Sequence, residues 1–357
     1  MDFSPTPERQ MVAESLSRLL AEHLDAERRR AIAYVAPWHD PTLWAHLCEL
    51  GVPALLVPAE QGGFGGAGFD ITTAFQPLGA ALCTEPMLGH AMAVAALVAL
   101  DAPVSEDMVS GNSRYVLAIG EPDVPYGLDD LETTANRAGD GWQITGRKSV
   151  VAGAQSATHV LVAARHGDGQ IGLFEVSADA IDITAYGMVD GGGAAELFFD
   201  TTAAQAISLE ADAALTTALT AGLLALSAEA VGIAERLVDL TQDYLRTRQQ
   251  FGRPIAKFQA LQHRAVEMSL HLEQLRSITV RAAASFGTPD GPRHAAMAKL
   301  LVGRRGRLIA EEAIQLHGGI AVTWEAEVAH LAKRLVMIDA QLGDADWQSE
   351  MLAEALA

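Results

Sequence analysis

Gln61-Gly-Gly-Phe-Gly-Gly-Ala-Gly-Phe-Asp70 is the stretch on which the fold turns. Gly63, Gly65 and Gly68 satisfy G-x-G-x-x-G, and the apolar run Val52-Pro-Ala-Leu-Leu-Val-Pro58 precedes them. Glu85 follows at about the distance expected of a ribose-binding carboxylate. A dinucleotide loop here would make the chain a doubly wound α/β protein with this loop as its centre. The surroundings argue otherwise. Such a fold needs successive parallel βαβ crossovers, and none follow Gly68. Pro53 and Pro58 also suit a buried central strand badly.

The texture on either side is of a different kind. Up to about residue 113 the chain reads as helical: Thr6 can cap a helix with Pro7 at its first position, and Pro41–Leu50, Ile71–Ala81 and Gly89–Leu100 continue the pattern. From 114 to 205 short β-type runs appear at Tyr115–Ile119, Trp142–Thr145, His159–Ala163, Ile171–Val176 and Ala195–Asp200. Gly139-Asp-Gly141 and Gly167-Asp-Gly169 separate several of them, which predicts antiparallel hairpins. Beyond 206 helices return, over about 208–248, 255–286 and 292–316. Phe258, Leu261, Ala265, Met268, Leu272 and Leu275 draw one apolar stripe, and Gly318-Gly319 stops the last helix. The expected architecture is therefore mainly α with a central antiparallel β domain. Its parts are an N-terminal helical domain (1–113), a middle β domain (114–205) and a C-terminal helical bundle (206–357).

Composition narrows the function. At 357 residues the chain can bury a substantial core. A net charge of −20 repels phosphate backbones and anionic lipids, so neither nucleic acid nor a membrane is an expected partner. No apolar run is expected to span a bilayer, and Met1–Pro7 lacks the basic lead-in of a secretory signal. Cys48 and Cys83, the only cysteines, have apolar neighbours, as in a reduced cytoplasmic protein. No metal is expected.

More than half of the Lys and Arg residues lie beyond position 240, and two stretches there carry chemistry. Arg246-Thr-Arg-Gln-Gln-Phe-Gly-Arg-Pro-Ile-Ala-Lys-Phe-Gln259 reads as a helix end and tight turn, with arginines and glutamines around an aromatic. Arg is the side chain best shaped for bidentate phosphate contacts. Gln315-Leu-His-Gly-Gly-Ile-Ala-Val-Thr-Trp-Glu325 ends a helix in two glycines and then presents a carboxylate. Alone these features point only to an anionic ligand.

Together they resemble the acyl-CoA dehydrogenase family, whose signature stands here as R-x-x-F-G-x-P-I-x-x-F-Q followed by Q-x-x-G-G. Leu50–Gly63, Glu121-Pro122, Gly146-Arg-Lys148 and Glu196-Leu-Phe-Phe-Asp200 extend the resemblance over nearly the whole chain, with a four-helix bundle and a middle β-barrel as the implied fold. The resemblance implies FAD. Arg248 would meet its pyrophosphate, Phe251 would pack near the ring system and Gln259 would hydrogen-bond it. Gln315, Gly318 and Gly319 would line the cofactor from a neighbouring chain. Glu325 stands where many members place the base that removes the thioester α proton while the β hydride goes to flavin N5. His317 matches no family role. An acyl-CoA substrate, an electron-transfer flavoprotein or similar acceptor, and a homo-oligomer or a heterotetramer with a related subunit are implied in the same way.

The match has gaps. Glu121-Pro122 lacks the usual Gly-Ser-Asp, Val150 and Ala152 replace a Trp and Thr beside the flavin, and no Tyr-Glu-Gly-Thr follows Arg334. The alternative base position on the preceding helix is Gly222, with Glu229 the nearest acid. These departures resemble an actinobacterial branch acting on steroid side-chain or other bulky CoA thioesters, often as mixed tetramers. Two other readings stay open: a non-catalytic subunit completing a partner's FAD site, and a flavin monooxygenase of the same fold, against which Glu325 argues.

Overall fold

The computed structural model describes residues 5–355; Met1–Ser4, which carry part of the leader reading, lie outside them. Thr6 caps α1 (Pro7–His23) by accepting the Arg9 N–H at 3.4 Å, with Pro7 at the first position as expected. The helices α2 (Ala26–Ala33), α3 (Pro41–Glu49), α4 (Gly68–Ala80), α5 (Met87–Ala99) and the single turn α6 (Glu106–Val109) follow. Asp40 caps α3 through the Thr42 N–H.

The glycine-rich stretch holds no strand. Val52–Ala54 and Ala59–Gln61 are single 3₁₀ turns, and Gly68 opens α4. The chain folds back on itself: the Gly65 N–H donates to the Val57 carbonyl at 2.7 Å and the Gly66 N–H to the Leu55 carbonyl at 2.9 Å. A Cβ on Gly63 or Gly66 would overlap those carbonyl oxygens, so the glycines let backbone approach backbone. Glu85 faces inward, accepting the Asp40 N–H at 2.9 Å and pairing with His39.

Seven strands form one sheet: β1 (Tyr115–Ala118), β2 (Thr134–Ala138), β3 (Gly141–Ala152), β4 (His159–His166), β5 (Gln170–Ser177), β6 (Asp182–Gly187) and β7 (Gly193–Ser208). The pairings β4–β2–β3–β7–β5–β4 close a ring, which leaves no edge among those five strands. Ile144, Val160, Val162, Phe174 and Leu197 fill it. Ala138 pairs with Gly141 and His166 with Gln170, so both Gly-Asp turns close hairpins as expected. Two pairings depart from the antiparallel expectation. The chain leaves β1, makes the β2–β3 hairpin and returns as β4 parallel to β1, and β2 touches β4 in the same sense at Thr134 and Arg165. β2 and β6 were not expected. Most of their residues are exposed or half-buried, so the apolar alternation that marks a strand is missing.

The remainder is helical: α7 (Asp212–Thr247), the two-residue strands β8 (Gln249–Gln250) and β9 (Arg253–Pro254), α8 (Gln259–Ser285), α9 (Gly291–Leu301), α10 (Arg307–His317), α11 (Glu327–Asp339) and α12 (Ala345–Glu354). On α8, Met268, Leu272 and Leu275 are buried, each contributing about 1.5–3 kcal/mol of hydrophobic stabilisation. The helix expected over 292–316 is interrupted by a π-helical turn, Val302–Gly306. There Gly303 lies so close to the Asp339 carboxylate that a Cβ would collide with it. Gly79 of α4 and Gly232 of α7 meet backbone in the same way, at the Glu229 and Gln76 carbonyls, so these helices cross at touching distance. Against the expectation of no spanning run, α7 is long and apolar enough to cross a membrane, but 89% of its most apolar stretch is buried within the protein.

By contact the chain forms two compact units. One comprises the chain up to Ala26, Ile71–Cys83 and everything from Leu223; the other comprises Glu27–Asp70 and Thr84–Gly222.

Candidate active site

After α7 the backbone at Arg248 is pinned on both sides. Its N–H donates to the Tyr244 carbonyl at 2.8 Å, and its carbonyl accepts the Ile255 N–H at 2.9 Å. Gln249 pairs with Pro254 and Gln250 with Arg253, leaving Phe251 and Gly252 as a two-residue turn with φ of +54° and +75°. Left-handed backbone costs a non-glycine residue roughly 1–2 kcal/mol. Phe251 bears that cost with its ring 90% exposed, the ring edge meeting Phe258 at 6.0 Å. Arg253 lies over the Phe258 ring at 4.4 Å. Arg246 is tied to Asp243 and Gln242, whereas among the described residues the Arg248 guanidinium has no partner. Gln259 opens α8 and is exposed.

The second motif ends α10. Gln315 is exposed, and Gly318 adopts φ +65° and ψ −147°, a conformation that glycine alone takes readily. A Cβ on Gly318 or Gly319 would meet nothing within 4 Å, so the turn has open space on that side. His317 is structural: its Nδ1 bonds the Ala313 carbonyl at 2.9 Å and its ring stacks on Tyr244 at 4.5 Å. Tyr244 lies one turn before Arg248, so this stack brings the arginine hairpin and the glycine turn of one chain to the same end of the bundle.

Glu325 follows the 3₁₀ turn Gly318–Val322. Thr323 Oγ1 donates to the Ile320 carbonyl at 3.0 Å, and His330 Nε2 bonds the Trp324 carbonyl at 2.9 Å. The Trp324 ring packs edge-on against His330, with Lys333 Nζ over it at 5.2 Å. The loop is therefore held while the Glu325 carboxylate stays exposed and, among the described residues, unbonded. Nearby acids differ. Arg334 grips Glu229 through two bonds of 2.6 and 2.7 Å, and Arg236 grips Glu327 through 2.7 and 2.9 Å. Among the described residues, the neighbours of Glu325 along the chain leave it open to solvent.

The family marks of the β domain form a buried ion pair. Lys148 is fully buried, donating to Glu121 Oε1 and to the Ile119 carbonyl at 2.7 and 2.8 Å. Burial pushes its pKa down to about 8 against the pull of Glu121. Glu121 also accepts the N–H groups of Glu132 and Thr133. Immediately after Lys148, β3 bulges at Ser149-Val150, and the residue opposite is Glu196. Sequence reading marked Glu196 only as part of a strand signature; its pairing across the sheet carries no local signal.

An unpaired guanidinium, an aromatic ring held in solvent and a glycine turn with room beside it fit a flavin nucleotide, which carries a pyrophosphate and a flat ring system. The acyl-CoA dehydrogenase C-terminal domain model matches residues 212–357. The acyl-CoA dehydrogenase IpdE2 of Mycobacterium tuberculosis is 31% identical over 339 residues, covering 93% of this chain and 92% of that one. The chain belongs to the acyl-CoA dehydrogenase family, and membership makes it an oxidoreductase acting on acyl-CoA with FAD as cofactor. Among solved structures it is similar to the Tcur3481-Tcur3483 steroid ACAD, 28% identical with a TM-score of 0.89 over 98% of this chain and 97% of that one. Butyryl-CoA dehydrogenase from Megasphaera elsdenii, 20% identical and covered in full, shares the fold with a TM-score of 0.89.

Proposed function

We propose that this chain dehydrogenates the α,β bond of a bulky, steroid side-chain type of acyl-CoA thioester, with Glu325 as the base. One observation carries the reading: the stacked Tyr244–His317 pair brings the hairpin with the unpartnered Arg248 and the open Gly318-Gly319 turn to the same end of the bundle. Arg248 offers a planar fork to two pyrophosphate oxygens. Phe251 offers a ring face, Gln259 and Gln315 offer amides, and the two glycines admit close backbone approach. Bound FAD supplies the hydride acceptor. Unlike Glu229 and Glu327, Glu325 has no arginine partner among the described residues, and such a partner would hold a carboxyl ionised and weaken it as a base. Bound thioester and a neighbouring subunit would desolvate it. Likeness to a steroid ACAD supports the substrate class, with an electron-transfer flavoprotein or similar acceptor reoxidising the enzyme.

The purified full chain, with any polypeptide that accompanies it, should lose flavin absorption when a steroid side-chain acyl-CoA is added. Glu325→Gln should abolish the bleaching with FAD still bound; undiminished turnover would remove Glu325 from the role. Val150 and Ala152, which have no polar side-chain group where the family has a Trp and a Thr, favour one second reading: a subunit that completes a partner's flavin site. A chain that is colourless alone and yellow only with a second family member would establish that reading instead.

A further inference from the structure

Lys148 pairs with Leu197 and Val151 with Ala195, so Ser149 and Val150 together face the single residue Glu196. Val150 has φ +52°, in the left-handed region that a β-branched residue avoids, and its side chain is 53% exposed. Packing does not hold it there. Hydrogen bonds do: Glu196 Oε1 accepts the Val150 N–H at 3.2 Å, the Ser149 hydroxyl at 3.0 Å and the Tyr186 hydroxyl at 2.8 Å. Its other oxygen accepts Arg147 Nη2 at 2.8 Å. Tyr186 pairs with Ala194 and Arg147 with Phe198, so both are diagonal neighbours of Glu196 on the strands flanking β7. Burial pushes the Glu196 carboxyl up, yet its donors outweigh burial and hold it below the usual carboxylate range. A bulge that served shape alone would take a glycine at the left-handed position. Here an exposed valine is kept in strain by one carboxylate gathering donors from the two strands that flank its own, the pattern of a ligand-facing edge made rigid in advance.

We infer that Glu196 is a positioning residue for the flavin, clamping the Ser149-Val150 bulge in the conformation that receives the ring system. The inference rests on the flavoprotein reading above, together with the family resemblance, which implies that Val150 and Ala152 stand beside the flavin. Glu196 touches no reacting atom in this role; it acts through Val150.

The test uses the full-length chain with any co-purifying subunit, stripped of FAD and titrated with FAD. Glu196→Gln should fold as wild type does, weaken FAD binding about tenfold, the equivalent of one charge-assisted hydrogen bond, and shift the visible flavin band. Adding Val150→Gly to it should restore affinity, because glycine holds the left-handed φ without a clamp. Should Glu196→Gln fail to fold, Ser149→Ala removes one bond of the clamp and should weaken binding in the same direction. A folded Glu196→Gln with wild-type FAD affinity and an unmoved band overturns the inference. Amide exchange at Val150 separates the two levels. Protection that is lost in Glu196→Gln, in a wild-type chain that never binds FAD, would overturn the flavin reading itself while leaving the clamp as pure structure.

Discussion

Lys148 and Glu121 show how far a residue's meaning depends on its surroundings. Fully buried lysines are rare unless paired, and this one is tied to a carboxylate that itself accepts two backbone N–H groups. Glu121→Gln leaves an uncompensated buried cation and should cost about 3–5 kcal/mol at neutral pH, read from denaturant unfolding. The pH dependence follows from the same contacts. Burial raises the Glu121 carboxyl, but Lys148 and the surrounding donors outweigh it and hold it below 4.5. A carboxyl depressed in the folded state contributes stability above its unfolded value and loses it as pH falls through the folded one. Wild type should therefore lose stability below about pH 4.5, and Glu121→Gln should lack that part of the acid loss in a melting series. In the sequence these two residues were legible as family marks. That they are one buried pair was not, because Glu121 and Lys148 lie far apart along the chain and only the passage of the segment after β1 alongside β3 brings them together.

At the scale of elements, the glycine-rich loop separates a pattern from its physics. Its regular expression is that of a dinucleotide loop, yet Gly63 and Gly66 are needed where the chain presses on Val57 and Leu55. Gly63→Ala should destabilise the protein by about 1–3 kcal/mol through overpacking. Gly65→Ala, at φ +61° with space around it, should cost roughly 1–2 kcal/mol through backbone strain alone. Both should bind FAD with wild-type affinity in a direct titration. Loss of FAD binding by either folded variant would return the loop to cofactor duty. The long helices were legible because apolar residues recur with the helical period, as Met268, Leu272 and Leu275 do. The Phe251 turn was readable as tight, whereas its left-handed non-glycine residue was not. The π turn at Val302–Gly306 was hidden as well: its Gly303 meets Asp339 at the end of another helix, which no local window contains.

For the whole molecule the question is what covers its exposed apolar groups. Val266 and Leu270 stand one helical turn apart on α8, off the buried stripe, each 57% exposed. Val322 and Trp324, on the loop that carries Glu325, are 76% and 50% exposed. Val266 and Leu270, neighbours on one helix face, present an exposed apolar pair of the kind that specific packing covers, and the net charge of −20 works against association by less specific means. The family resemblance implies a flavin lined by two chains, so assembly and cofactor retention should be one equilibrium. Val266→Asp with Leu270→Asp removes no buried contact of the isolated chain and should leave far-UV circular dichroism unchanged. In sedimentation velocity followed at protein and flavin wavelengths, the double variant should run as a smaller species and leave the flavin signal behind as free FAD. A smaller species that keeps its flavin would show that one chain holds the cofactor alone, with the Arg248 hairpin and the Gly318 turn, adjacent in the fold, grasping the same molecule.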